Sequence, residues 1–452
     1  MRLNDKLLSN ISVASVCALL WIWVVPGTIA LRHGLLSIGC ITGILLIQRN
    51  WTRLSTPRLN LIPLYSIAAL FIWVGIHYYF FSLNLALEIS EIKSLWLRSF
   101  AGCIMAMGFA IALSQQSHLR KYFYISIFSV PLINLTTYIY DCYLSGGFVR
   151  PNAFVKFYFA KIETAYFGGI AASVVVANLV YLLSSKIDRK AYLLIAIYFL
   201  GIALVLFSSL LSSTKNGIAI ALGLCVLLSI IILVKAFWNF KGSKKALILV
   251  LVLVLVLVAG IWRGHKSFAS SGWDTIFEDV KVSLDIDKNI QWQSQEGTVA
   301  APLNSLGLPA ALNTYSRFAY IAVGIRLIRQ YPFGYGSVNQ SFNGMQTHAN
   351  IYHEHTGQVH SGWVDFGLAF GVPGLILMFS ALLSIIYFGI KRDDELSLVA
   401  VMYCLMVIPF GLIAEISYKQ YFEATLFFIA FAATIVTLAP RVKVGFESSR
   451  LS

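Results

Sequence analysis

The sequence predicts an all-α membrane protein with about 12 transmembrane helices and one large, partly helical loop between the ninth and tenth spans. Hydrophobic residues make up 58% of the 452 positions and charged residues 12%, more apolar surface than a soluble core buries. Apolar runs recur near the roughly 20 residues that a helix needs to cross a bilayer. One run, residues 247–258, is continuous Leu, Val and Ile, whereas strands of membrane barrels alternate apolar and polar residues.

The apolar runs set the order of the elements. Clear examples of predicted spans are residues 12–30, 59–81, 191–207, 246–262 and 397–413. The chain then divides into three parts. Spans 1 to 9 occupy residues 1–262, the large loop occupies residues 263–360, and spans 10 to 12 with a tail occupy residues 361–452.

Basic residues are divided unevenly between the two sides of the predicted membrane. More than half of the 34 Lys and Arg lie in the tails and in alternate connections, near residues 49–58, 118–121, 186–190, 235–245 and 391–392. Cytoplasmic connections carry such an excess, so both termini are expected in the cytoplasm and the large loop outside. The charges flank the spans and form no single patch, which argues against nucleic acid and leaves membrane lipids as the surroundings.

The large loop contains one predicted helix, over residues 314–330, with Asn313 as its expected N-cap. Four apolar residues fall on roughly one face of this helix: Phe318, Ile321, Ile325 and Ile328. The segment from Pro332 to Gly336 contains one proline and two glycines, and it predicts a turn that ends the helix.

Four histidines lie where the loop meets the tenth span: His348, His353, His355 and His360. Their spacing matches no helical zinc motif, so the first three are interpreted as an interfacial polar belt, and no metal or other cofactor is predicted. His360 differs because Ser361 can cap the following helix. The positive end of that helix disfavours the imidazolium and keeps a neutral base available.

Basic residues near the outer ends of the spans form a second candidate group. Lys215 lies at the predicted start of span 8, Arg150 precedes Pro151, and Arg317 opens the loop helix. A charge at a membrane boundary is costly unless it pairs or binds an anion, although long side chains also reach toward lipid phosphates. Three cations on one side favour an anionic ligand such as phosphate or pyrophosphate.

The segment that begins His360-Ser361 and continues through nine residues to Gly371, then two residues to Gly374, resembles the signature of bacterial O-antigen ligases. The likeness extends to about 12 spans and one large loop before the tenth. It implies a Gram-negative inner-membrane protein with a periplasmic active site. Such ligases move polysaccharide from undecaprenyl pyrophosphate to a sugar hydroxyl of lipid A-core, without a metal and with inversion at the anomeric carbon.

The resemblance also assigns roles to residues. His360 matches the motif histidine, which implies that it acts on the acceptor hydroxyl. Arg317 resembles the loop arginine, Lys215 stands where the family usually has arginine, and Arg150 is similar to a loop residue of the superfamily; all three are expected to hold the donor pyrophosphate. Two further arginines of the loop helix are candidates for binding the phosphates of lipid A-core: Arg326 and Arg329.

Two alternatives remain open from the sequence. A polysaccharide polymerase would use the same donor chemistry with a second lipid-linked glycan as acceptor. A non-enzymatic transporter of lipid-linked glycan belongs to a different class, and it should carry charges in mid-span and show an internal pseudo-repeat. The middle of most predicted spans is apolar, which favours the enzymes.

Overall fold

The structure is a computed structural model, and it describes residues 4–54, 58–149, 161–184, 188–212, 214–237, 244–268, 275–294, 298–351, 358–416 and 419–438. Within these ranges the regular elements are helices, and one isolated β-bridge joins Leu303 to Pro309. The prediction of an all-α membrane protein is confirmed. Arg150, His353 and His355 lie outside the described residues.

Nine helices in the described ranges are long and apolar enough to cross a membrane. They are Asp5–Ile22, Ile29–Arg49, Ile62–Phe80, Leu85–Gln115, Lys161–Leu183, Arg189–Leu211, Gly362–Ile390, Glu395–Ile413 and Gln420–Thr437. A further pair, Ser117–Ser126 and Ser129–Leu144, passes the same test with a bend of 42°. Two more apolar helices, Lys215–Phe237 and Lys244–Phe268, follow in the predicted order. The total of about 12 spans and the limits of the loop stay predictions.

The first predicted span, residues 12–30, is wrong in its bounds. The first helix ends at Ile22, and the next begins at Ile29. Pro26 lacks a backbone N–H and Gly27 has a φ of 76°, so neither continues a helix. The hydroxyl of Thr28 donates to the carbonyl of Val25 at 2.7 Å and closes the turn.

The two ends of the membrane helix Glu395–Ile413 contact different parts of the chain. Arg120 pairs with Glu395 at 2.8 Å, at the first residue of the helix Glu395–Ile413. At the last residue of that helix, the side chain of Asn216 donates to the carbonyl of Ile413 at 2.8 Å. These ends are about 27 Å apart at 1.5 Å per residue. The Arg120 connection, predicted to be cytoplasmic, therefore lies at the opposite end from Lys215, the neighbour of Asn216.

The helix of the large loop, here called the loop helix, runs from Leu312 to Gln330. Its N-cap is Ala311, so the prediction of Asn313 as the cap is wrong. The predicted apolar face is wrong at Ile325, which is 42% exposed, whereas Ile328 is buried. The buried face combines aromatic, small and aliphatic residues: Tyr315, Ser316, Ala319, Tyr320, Val323, Gly324, Leu327 and Ile328. Small residues permit close packing, and a periodicity based on large side chains does not count them.

The helix Gly362–Ile390, here called the motif helix, is interrupted at Gly371, where φ is 68° and ψ is −170°. The turn from Pro332 to Gly336 fits into this interruption. Three backbone hydrogen bonds of 2.8 Å join them: Tyr335 N–H to the Leu368 carbonyl, Gly336 N–H to the Ala369 carbonyl, and Val372 N–H to the Pro332 carbonyl. The glycine of the sequence motif thus serves the contact between the loop and the membrane helices.

Alanine at Gly371 is expected to lower the melting temperature and the yield of folded protein. The φ of 68° and ψ of −170° at Gly371 lie in a region that essentially only glycine occupies, at a cost to other residues of about 1–3 kcal/mol. The added Cβ would also overlap the carbonyl oxygens of Pro332 and Phe333. Gly75→Ala is the matched control, since nothing lies within 4 Å of its Cβ position. Thermal unfolding in detergent is the measurement. Equal melting temperatures for the two variants would contradict the fit described here.

Candidate functional site

Four basic side chains from separate parts of the chain converge at the end of the helices opposite Arg120: Lys161, Lys215, Arg317 and His360. Lys161 belongs to the helix Lys161–Leu183, and Lys215 begins the helix Lys215–Phe237. The positive charge of Arg317 acts on both Lys161 and His360, and that of Lys215 acts on Lys161. The structure therefore brings together three residues selected from the sequence and adds Lys161.

A buried network of hydrogen bonds connects the two segments that carry Lys161 and Lys215. The hydroxyl of Ser212 donates to Thr164 Oγ1 at 3.1 Å. The amide of Asn134 donates to the same Thr164 oxygen at 2.8 Å. Thr164 and Ser212 each lie three positions from a lysine, so these hydrogen bonds fix the backbone near Lys161 and Lys215. Lys215 also stands at a helix N-terminus, which adds positive potential.

Sequence reasoning missed Lys161, although a signal was present. Lys161 is a charged residue beside a long apolar run, as Lys215 is. The same boundary criterion that selected Lys215 applies to it. Its place in the site depends on the approach of Arg317, a contact between distant parts of the chain.

His360 is held in an unusual backbone conformation, with a φ of 65°. The N–H of Gly362 donates to the carbonyl of Ala414 at 2.9 Å, and the N–H of Val359 donates to the carboxylate of Asp365 at 2.9 Å. These bonds fix the chain on both sides of the histidine. A strained conformation persists where the surrounding structure determines it, and such positions cluster at functional sites.

Ser361 occupies the N-cap position of the motif helix, but its side chain does not cap it. The hydroxyl donates instead to the carbonyl of Gly411 at 3.3 Å. The expected capping bond is therefore wrong. The buried serine ties the start of the motif helix to the end of the next membrane helix, and this contact keeps His360 beside Glu415.

Burial and the adjacent Arg317 lower the pKa of His360 to about 4, from 6.5 for a free imidazole. Both causes favour the neutral imidazole at neutral pH. Nδ1 contacts a carboxylate oxygen of Glu415. A carboxylate in this place favours the tautomer with the proton on Nδ1, so that Nε2 keeps its lone pair and can accept a proton.

Two buried carboxylates anchor the turn that follows the loop helix. Glu91 accepts hydrogen bonds from the hydroxyl of Ser337 at 2.6 Å and from the N–H of Val338 at 2.9 Å. Glu88 pairs with His77 at 2.9 Å, and both side chains are fully buried. His77 Nε2 in turn donates to the carbonyl of Phe333 at 3.0 Å. Together these contacts fix the C-terminal end of the loop helix.

Sequence reasoning also missed this anchor. His77, Glu88 and Glu91 are ionisable residues inside apolar runs, which by default mark a functional role. Here the role is to position the loop, because each side chain reaches the residues 333–339 either directly or through a partner.

The other residues selected from the sequence lie elsewhere. Arg326 forms two hydrogen bonds of 2.7 Å with Asp287. It stands about 14 Å from Arg317 along the helix axis at 1.5 Å per residue. Arg329 is exposed one turn further on. His348 is exposed and packs edge-on against Tyr331, with ring centroids 5.1 Å apart.

A family model described as O-antigen ligase matches residues 200–379. The matched range contains Lys215, Arg317, His360 and both motif glycines, and it confirms the resemblance seen in the sequence. Lys161 and Glu415 lie outside it. No curated protein matches the chain.

Proposed function

We propose that the chain transfers polysaccharide from undecaprenyl pyrophosphate to a sugar hydroxyl of lipid A-core. The proposal proceeds from the match of residues 200–379 to the O-antigen ligase family. Members of this family are glycosyltransferase-like enzymes of lipopolysaccharide and glycan assembly. One observation carries the proposal: a neutral histidine lies beside a group of cations at one end of the membrane helices.

The donor pyrophosphate binds to the cations Lys161, Lys215 and Arg317. Charge-assisted hydrogen bonds to phosphate oxygens are about twice as strong as neutral ones, and the N-terminus of the helix Lys215–Phe237 adds to the field. As the bond from the anomeric carbon to the pyrophosphate breaks, negative charge grows on the leaving oxygen. Cations already in place stabilise this charge without reorganising, so protein side chains supply the charge that a metal supplies in other transferases.

The acceptor hydroxyl attacks the anomeric carbon from the face opposite the leaving group and inverts its configuration. His360 Nε2 takes the hydroxyl proton, the new glycosidic bond forms, and the lipid pyrophosphate leaves. Glu415 holds the imidazole in the required tautomer and stabilises the imidazolium that forms, as the carboxylate of a catalytic triad does.

Three further arginines have proposed roles outside this group of residues. Arg150 is proposed to join the donor-binding cations. Arg326 and Arg329 are proposed to bind the phosphates of lipid A-core, and for Arg326 this requires the acceptor to displace Asp287.

We propose that the enzyme lies in the Gram-negative inner membrane with both termini in the cytoplasm and the site in the periplasm. The separation of Arg120 from Lys215 along one helix supports this orientation.

A strain that lacks this chain is expected to make long lipid-linked polysaccharide and to leave lipid A-core without it. The reason is that a ligase acts after chain extension. Gel separation of lipopolysaccharide and of the undecaprenyl-linked pool measures both products, and a plasmid copy of the chain is the control. Accumulation of single repeat units would identify a polymerase instead.

The transfer rate is expected to stay level as the pH falls through 6.5 and to decline only as it approaches about 4. Only the neutral imidazole accepts a proton, and its lowered pKa keeps it neutral across that interval. Initial rates of the purified enzyme with saturating donor, corrected for activity lost after return to pH 7, provide the test. A decline centred near 6.5 would contradict the lowered pKa and would show that Glu415 offsets burial and Arg317.

A further inference from the structure

A short uncharged segment of the large loop exposes leucine side chains at the protein surface. Residues 303–308, here called the leucine loop, contain Leu303, Leu306 and Leu308, which are 63%, 61% and 50% exposed. Phe277, on the neighbouring helix Ile276–Leu284, is 81% exposed. Grouped apolar side chains of this kind mark a surface that contacts lipid or another molecule.

The leucine loop is rigid because buried polar groups hold it. The side chain of Asn304 accepts from the N–H of Leu306 at 3.0 Å and from that of Leu308 at 3.1 Å. Its amide donates to the buried carboxylate of Asp279 at 2.8 Å. The leucines therefore stay outside while the polar residue between them turns inward, so their exposure is a property of the folded loop.

The loop helix connects the leucine loop to the ends of the membrane helices. Its first turns carry Arg317, whose charge acts on Lys161 of the membrane helix Lys161–Leu183. Beyond its other end, the carbonyl of Tyr335 accepts from the N–H of Leu83, just after the membrane helix Ile62–Phe80. The loop helix thus lies across the helix ends. Its start, Leu312, follows the leucine loop by four positions, at most about 14 Å of chain.

We propose that the leucine loop inserts into the outer leaflet of the membrane beside the candidate site. Acyl chains of the surrounding lipids are the occupant, because residues 303–308 carry no charged side chain and lie within about 14 Å of chain from a helix that contacts the ends of the membrane helices. Insertion would hold the start of the loop helix, and with it Arg317, at the lipid surface. The inference concerns lipid contact and does not depend on which reaction the site performs.

A fluorophore sensitive to polarity, attached at Leu306→Cys in the full chain, tests the proposal. The protein is reconstituted in vesicles of phosphatidylcholine and phosphatidylglycerol, without donor or acceptor. We expect blue-shifted emission and quenching by lipids that carry a doxyl group on the acyl chain. The same label at Lys288→Cys, an exposed position of the same region, should report water. The native cysteines are buried or half-buried, and the parent chain gives their background.

The outcomes separate the possible occupants. Equal emission and quenching at both positions would overturn the proposal. Quenching that appears only after lipid A-core is added would assign the leucine loop to the acceptor's acyl chains and would also overturn it. Since no transfer is measured, failure of the proposed reaction leaves this result unaffected.

Discussion

The His360→Ala variant is expected to transfer glycan about 10² to 10⁴ times more slowly than the wild-type protein, the usual loss when a general base is removed. The variant should insert and fold normally, because alanine removes only the imidazole and its contact with Glu415. Single-turnover transfer from purified lipid-linked donor to lipid A-core is the measurement. The loss should appear in the chemical step, with donor binding little changed.

His348→Ala is the matched control for this experiment. His348 is exposed, and its ring packs against Tyr331, which follows the C-terminal end of the loop helix, whereas Arg317 lies in the first turns of that helix. Its removal should leave transfer within a few-fold of wild type. If the His360 variant were as active as the His348 variant, the proposed base would be wrong, while the cationic site would still need explanation.

Removing the charge of Arg317 is expected to weaken use of the donor about 10- to 150-fold. This range follows from about 1.5–3 kcal/mol for a hydrogen bond to a charged group. Arg317→Met keeps most of the length of the side chain and loses the guanidinium. The effect should appear in both KM for the donor and kcat, because the cation binds the pyrophosphate and also stabilises the leaving group.

Arg329→Met serves as the control because it removes the same charge from the same helix, about 18 Å further along its axis. It should leave donor KM unchanged. At the neighbouring cation, Lys215→Arg should keep activity and Lys215→Met should lose it, since the site needs charge. Equal donor KM for the two methionine variants at 317 and 329 would leave lipid contact as the better explanation of Arg317.

Local patterns in the sequence predicted the elements, while contacts between distant segments determined the site. The start of a helix at Lys215 follows from the run of polar residues before an apolar stretch, and the turn after the loop helix follows from proline and glycine. The partner of His360 does not follow in this way. Glu415 is 55 positions away, and only the packing of two membrane helices brings it to the imidazole.

The buried face of the loop helix shows a second limit of the sequence. Large aliphatic side chains such as Ile325 predicted one face, but a Cβ at Gly324 would overlap Val364 of the motif helix. Close approach selects small residues, whose hydrophobic signal is weak. A pattern of small residues becomes informative only when the partner helix is known.

The seating of the turn Pro332–Gly336 in the break at Gly371 determines which segments can be exchanged between related proteins. The apolar core of the loop region includes Val364 and Leu368 from the motif helix, so the loop shares its core with the membrane part. If only residues 263–360 were replaced by those of a relative, Glu88 and Glu91 would face a turn with a different sequence. A chimera would therefore keep the contact between the loop and the membrane helices only when these carboxylates and the broken helix are exchanged together with the loop.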